Sequence, residues 1–125
     1  MKNDFKSASL AVYRLAYKAA VEVHQFIQKK DCRLADDQAQ ELKIMSRYIL
    51  QLISDMSFAD TGRERRRLCI LARESGQKMV LGLAFLHDVK KISGKFFESA
   101  NGNYELINKQ LWKIKMDLMP KSKVK

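Results

Sequence analysis

A chain of 125 residues, 46% hydrophobic and 30% charged, has the composition of one globular domain with a real core, not of a disordered or fibrous class. The 24 Lys and Arg against 14 Asp and Glu give a net charge of +10 at pH 7, unevenly placed: residues 1–62 carry nine basic and eight acidic side chains, residues 63–125 fifteen and six. Such asymmetry points to a polyanion-binding surface, since each phosphate neutralised releases counterions; an acidic protein partner and a basic surface with no partner are the rival readings.

MKNDFKSASL holds no apolar run of signal-peptide length, and no segment approaches about 18 consecutive apolar residues. A soluble cytoplasmic protein with no membrane association is expected. Cys32 and Cys69 stand in no CxxC pattern and beside no His pair, so neither a disulfide nor a metal site is expected, which suits a reducing compartment.

The first helix is predicted over residues 6–29. Leu10, Tyr13, Tyr17, Ala20, His24 and Ile27 follow a three-four spacing, and Val12, Ala16, Ala19, Val23 and Phe26 form a second apolar stripe. Two faces exceed what one neighbour buries, so packing both within a bundle and against another subunit is expected. His24, on the apolar side, is expected to be buried and hydrogen-bonded. After a polar connection at 30–34, a second helix opens near Ala35, with Asp36 and Asp37 where the helix dipole favours acids. It carries Leu42, Met45, Ile49, Leu52 and Met56, widened by Ile44, Tyr48 and Ile53, and ends around residues 57–59. The brief link through Gly62 makes helices two and three antiparallel neighbours.

Residues 60–93 read as one long helix. Thr61 and Glu64 have the spacing of a capping box, and Leu68, Ala72, Ser75, Met79, Gly82, Leu86 and Val89 line one face, with Gly76 beside it. Those small residues open the way to close approach by a neighbouring helix. Gly94 is placed to take the left-handed conformation that closes a helix. Phe96, Phe97 and Ala100 form a short segment, and Asn101, Gly102 and Asn103 interrupt it or cap the next helix. A fourth helix then carries Tyr104, Ile107, Leu111, Ile114 and Leu118, and Pro120 ends it. No stretch alternates apolar and polar residues. The expected fold is all-α, an antiparallel up-down-up-down four-helix bundle over residues 1–119 with a mobile basic tail over 120–125.

No catalytic constellation emerges. The two histidines lie on separate helices, no Cys or Ser stands in a nucleophile context, no Glu-x-x-His pair supports a di-iron bundle, and there is no glycine-rich phosphate loop. Asp36, Asp37 and Glu41 fit a solvated helix start better than a metal site. A non-enzyme without catalytic residues, metal or cofactor is expected.

The remaining signal is basic. Arg63, Arg65, Arg66 and Arg67 crowd the start of the third helix, where the dipole disfavours each cation by about 0.3–1 kcal/mol, so something anionic on this chain or a partner is expected to compensate. Arg63, Arg66, Arg67 and Arg73 fall on neighbouring faces, and guanidinium forks match phosphate oxygens in a bidentate way. Lys90, Lys91 and Lys95 mark the far end of that helix, and Lys109, Lys113 and Lys115 add charge to the fourth. Trp112 reads as an exposed subunit-interface anchor ahead of a base-stacking residue. With no aromatics interleaving the Arg run, backbone contact is expected more than sequence reading.

From Arg67 to Leu118, LCILARESGQKMVLGLAFLHDVKKIS, a turn and NYELINKQLWKIKMDL resemble a bacterial four-helix-bundle family in length, helix order and positive charge. That family includes the accessory variability determinant of diversity-generating retroelements and the proteins encoded within intervening sequences of large ribosomal RNA genes. An LA-x-x-L-x-x-x-x-x-I pattern, with Leu83, Ala84, Asp88 and Ile92 as its nearest matches, is similar to the family's third helix. Where the intervening-sequence branch ends helix two in Asn-Ile-Ala-Glu-Gly, this chain has Ile53-Ser54-Asp55-Met56-Ser57, which tilts the resemblance to the retroelement branch. The resemblance implies a homopentamer with a basic surface, partnering a reverse transcriptase and its template RNA in mutagenic cDNA synthesis without catalysing it. RNA or DNA phosphate contacts then fall to Arg63, Arg65, Arg66, Arg67 and Arg73, with Lys90 and Lys91 as weaker candidates. The intervening-sequence branch implies instead a structural, protein-interaction bundle with no intrinsic nucleic-acid role.

Overall fold

Each long apolar pattern in the sequence closes into one helix. The computed structural model describes residues 5–120, in which α1 (Phe5–Ile27), α2 (Asp36–Phe58), α3 (Gly62–Asp88) and α4 (Gly94–Leu118) follow one another with short connections. The basic tail residues Lys121, Lys123 and Lys125 lie outside the described residues. Among those described there is no strand, and no helix is long and apolar enough to cross a membrane.

The helices form a ring in which α1 packs on α2, α2 on α3, α3 on α4 and α4 on α1; across the diagonal of α1 and α3, the Arg65 side chain reaches the Phe5 ring. Pairings run in opposite directions along the chain: Arg66 meets Leu118 and Cys69 meets Leu111, while Glu22 meets Ser99 and Asn103, and Phe26 stacks on Phe96. This is an antiparallel up-down-up-down bundle. Its core is built from one stripe of each helix, including Val12, Ile49, Ile53, Met79, Leu83 and Tyr104. Ser9 and Ser46 also reach the core, because each hydroxyl donates to a carbonyl one turn back, Lys6 and Lys43 respectively.

Of the two stripes on α1, the one through Val12, Ala16, Ala19 and Val23 makes the core; the other leaves Leu10 47% and Tyr17 55% exposed. On α3 the buried face runs through Leu68, Cys69, Ala72, Gly76, Met79, Leu83 and Leu86, so Gly76 and Leu83 take the places expected of Ser75 and Gly82. The reason is that α3 packs between two neighbours, with Ser75 turned to the α2 side and Gly76 pressed against Asn108 of α4.

Three expectations are corrected. First, α3 ends at Asp88, and its left-handed closing residue is Lys90 (φ 64°), not Gly94. The Lys91 N–H donates to Leu86 O at 2.8 Å and the Lys90 N–H to His87 O at 3.0 Å, the two bonds of a Schellman closure. A continued helix, turning about 100° per residue, would carry Ile92 to the outer face of Leu81; ending early lets Ile92 bury instead. A non-glycine in this conformation costs about 1 kcal/mol. Second, Ser93 caps α4 by accepting from the Phe96 N–H, and α4 continues unbroken through Asn101, Gly102 and Asn103. Glycine inside a helix costs about 1 kcal/mol, but Ala100 and Tyr104 are buried on either side, and Asn103 donates to Glu22 of α1 at 2.9 Å. Third, only half of the capping box at α3 forms. Thr61 Oγ1 accepts from the Glu64 N–H, while the Glu64 carboxylate turns to Arg67.

Candidate nucleic-acid interface

The antiparallel arrangement decides what surrounds the arginines. It brings the C-terminal ends of α2 and α4, negative poles of their dipoles, beside the start of α3. Arg65 Nε donates to Ala59 O at 3.1 Å, and its guanidinium lies 4.4 Å from the Phe5 ring centre. Arg66 Nη1 donates to Leu118 O at 3.0 Å. Arg67 grips Glu64 with two bonds, 3.0 Å and 2.7 Å, a pairing that raises the Arg67 pKa and lowers that of Glu64. Carbonyl ends and one carboxylate therefore supply much of the compensation the dipole argument requires. Arg63 is exposed and has no partner among the described residues. Arg73, further along α3, is part-buried and its Nε has no hydrogen-bond acceptor.

Lys90 and Lys91 stand at the opposite pole, about 40 Å away at 1.5 Å per helical residue. Of the seven predicted residues, four thus stand at one pole, Lys90 and Lys91 at the other, and Arg73 between them along α3. At the second pole the connections at 28–35 and 89–93 meet, and Lys91 Nζ lies 3.4 Å from Arg33 O. Lys29, Arg33, Lys90 and Lys91 line a concavity of about 640 Å³ there, with Phe26, His87, Asp31 and Asp88 among the other lining residues. The placement of Lys29 and Arg33 beside Lys90 was not evident in the sequence, where they lie far from it. The usable signal was the basic character of the α1–α2 connection combined with an up-down-up-down topology, which places that connection beside the α3–α4 one.

Trp112 is 45% exposed on α4. His24 corrects an expectation: it is only part-buried, and its Nε2 has no hydrogen-bond partner. The ring lies on the flank of α1 turned to Lys43 and Arg47 of α2, where burial first, and then the two cations, discourage its protonation. Among the described residues no group of three or more His, Cys, Asp and Glu is placed to hold a metal ion, and both cysteines are free.

Fold and surface together define an all-α, strongly basic four-helix bundle. Comparison with family models, characterised proteins and solved structures gives no match for this chain.

Proposed function

We propose that this bundle is a non-catalytic accessory protein that binds nucleic acid through phosphates. The observation that carries the reading is charge left over by folding. With 24 Lys and Arg in the chain, the described residues form a single ion pair, Arg67–Glu64. A surface so rich in unpaired cations is self-repelling unless a polyanion neutralises it. The resemblance to the retroelement accessory branch adds the finer part of the proposal: a homo-oligomer, by resemblance a pentamer, working with a reverse transcriptase and its template RNA in the cytoplasm. A protein-interaction bundle of the intervening-sequence kind is the second reading. The observation favouring it is the exposed apolar surface on α3, with Leu81 70% and Phe85 61% exposed.

Binding of labelled single-stranded RNA and duplex DNA across a salt series separates the two. The first reading expects binding that weakens steeply with salt and depends little on sequence; no binding even at low salt leaves the interaction bundle. Among the arginines, Arg63→Gln should flatten the slope of log affinity against log salt by about 0.7 on single strands, one phosphate contact, without lowering Tm. Arg66→Gln should instead destabilise the fold by about 1–2 kcal/mol, because the charged bond to Leu118 O is lost. An unchanged slope for Arg63→Gln would remove that residue from the interface.

A further inference from the structure

At the pole opposite the arginine cluster, cations from two separate connections surround one concavity. Lys29 and Arg33 lie in the α1–α2 connection, and Lys90 and Lys91 lie in the turn after α3. Asp31 and Asp88 also line the space, yet neither forms an ion pair with any of the four. The walls are stiff: Phe26 stacks on Phe96 with ring centres 3.9 Å apart, and His87 on Phe97 at 4.5 Å. His87 Nε2 lies beside Gly94, where even an added Cβ would stay 3.8 Å away, and it makes no hydrogen bond. At about 640 Å³, the concavity falls within the usual range for small-ligand sites, about 300–1,000 Å³.

A second observation concerns Lys90. It holds the left-handed position of the Schellman turn, where glycine would be free of strain. The turn lets Ile92 bury, yet the exposed Lys90 side chain has no partner among the described residues, so no contact of the lysine itself accounts for its place there. Non-glycine residues held in this conformation concentrate at ligand sites.

We infer that the concavity between the α1–α2 and α3–α4 connections binds a compact phosphate-bearing anion, held by Lys29, Arg33, Lys90 and Lys91. The ligand chemistry is a phosphate group with at least two negative charges within reach of converging ammonium and guanidinium donors. Its source is either a free diphosphate-like molecule or the backbone of a nucleic-acid strand. The site goes beyond the general basic surface: it is local, concave and saturable, and it stands whether or not Arg63 touches nucleic acid.

The test is an amide NMR titration of the full chain, first with inorganic diphosphate, then with a short RNA lacking terminal phosphates. Saturable shifts confined to residues around Lys29, Arg33 and 90–94 support the site; diphosphate shifts identify a free phosphate ligand, and shifts with RNA alone identify a strand backbone. Arg33→Gln with Lys91→Gln should weaken that binding about tenfold. Lys90→Gly should raise Tm by relieving the left-handed strain while weakening binding at least about threefold, a combination that a purely structural turn does not give. No shifts, shifts spread equally over exposed Lys and Arg including Arg63, or undiminished affinity in both variants would overturn the proposal.

Discussion

His24 and Cys69 show how burial sets the chemistry of single side chains in this bundle. Desolvation, with the charges of Arg47 and Lys43 adding to it and a backbone contact at Lys43 opposing, lowers the His24 pKa from its ordinary 6.5. The folded state therefore binds its proton less readily than the unfolded chain, and stability rises with pH through this range. The contribution is fully present above the unfolded value and is lost as pH falls through the lower folded one. Urea midpoints should accordingly drop as pH falls from above the ordinary 6.5 to below it, and His24→Gln should flatten that slope. An equal slope in the variant would assign the pH dependence elsewhere. Burial acts in the other direction on Cys69, pushing its thiol up to about 11. Its Sγ donates to Leu111 O at 3.2 Å, so it serves packing and stays protonated near neutral pH.

The α3–α4 contact is where a missing side chain matters most. A Cβ built on Gly76 would fall 2.0 Å from Asn108 Oδ1 and 2.9 Å from its Cγ. Gly76→Ala gains about 1 kcal/mol of helix propensity but must displace the Asn108 side chain, so a stability at or below the parent's is expected. Asn108→Ala in the same background should restore at least the parental stability, because it removes both the clash and an Oδ1 buried without a donor. A thermal double-mutant cycle measures this; simple additivity would mean that Asn108 is not what Gly76 accommodates. These elements were largely legible in the sequence, since three-four spacing marks a helix wherever a core forms. The misreadings came where tertiary packing overrides local preference. Gly94 and Gly102 read as stops because glycine is a poor helix former, yet burial of Ile92, Phe96, Ala100 and Tyr104 decides where α3 ends and α4 begins. Much the same holds for the candidate site. The arginine run was plain in the sequence, but nothing local could reveal that Arg65 and Arg66 reach the carbonyl ends of helices brought alongside by the fold.

At the scale of the whole molecule, the fold removes one argument for assembly and supplies another. The small-residue stripe of α3 is used inside the subunit, with Ala72 and Gly76 buried, so it offers no surface to a second copy. Apolar side chains stay exposed on all four helices, including Ile44 and Tyr48 on α2 and Trp112 and Met116 on α4; α1 presents Leu10, Tyr17 and Val21, and α3 presents Leu81 and Phe85. Helices α1 and α3 are diagonal partners, not packed neighbours, so their outer faces point away from one another. A closed cyclic ring larger than a dimer needs two different faces per subunit, one meeting the other on the next copy. The proposed homo-oligomer is therefore expected to join the α1 face of one subunit to the α3 face of its neighbour. Light scattering of the parent should give a multiple of the 14.5 kDa chain mass. Leu10→Lys with Tyr17→Lys, and separately Leu81→Lys with Phe85→Lys, should each yield folded monomers. Mixed in equal amounts, the two variants still hold one intact α1 face and one intact α3 face, which can meet once and propagate no further. The mixture should weigh as a dimer of one copy of each. A parent that is monomeric at micromolar concentration would rule out the assembly, and variants that keep the full oligomer would place its interface on other faces.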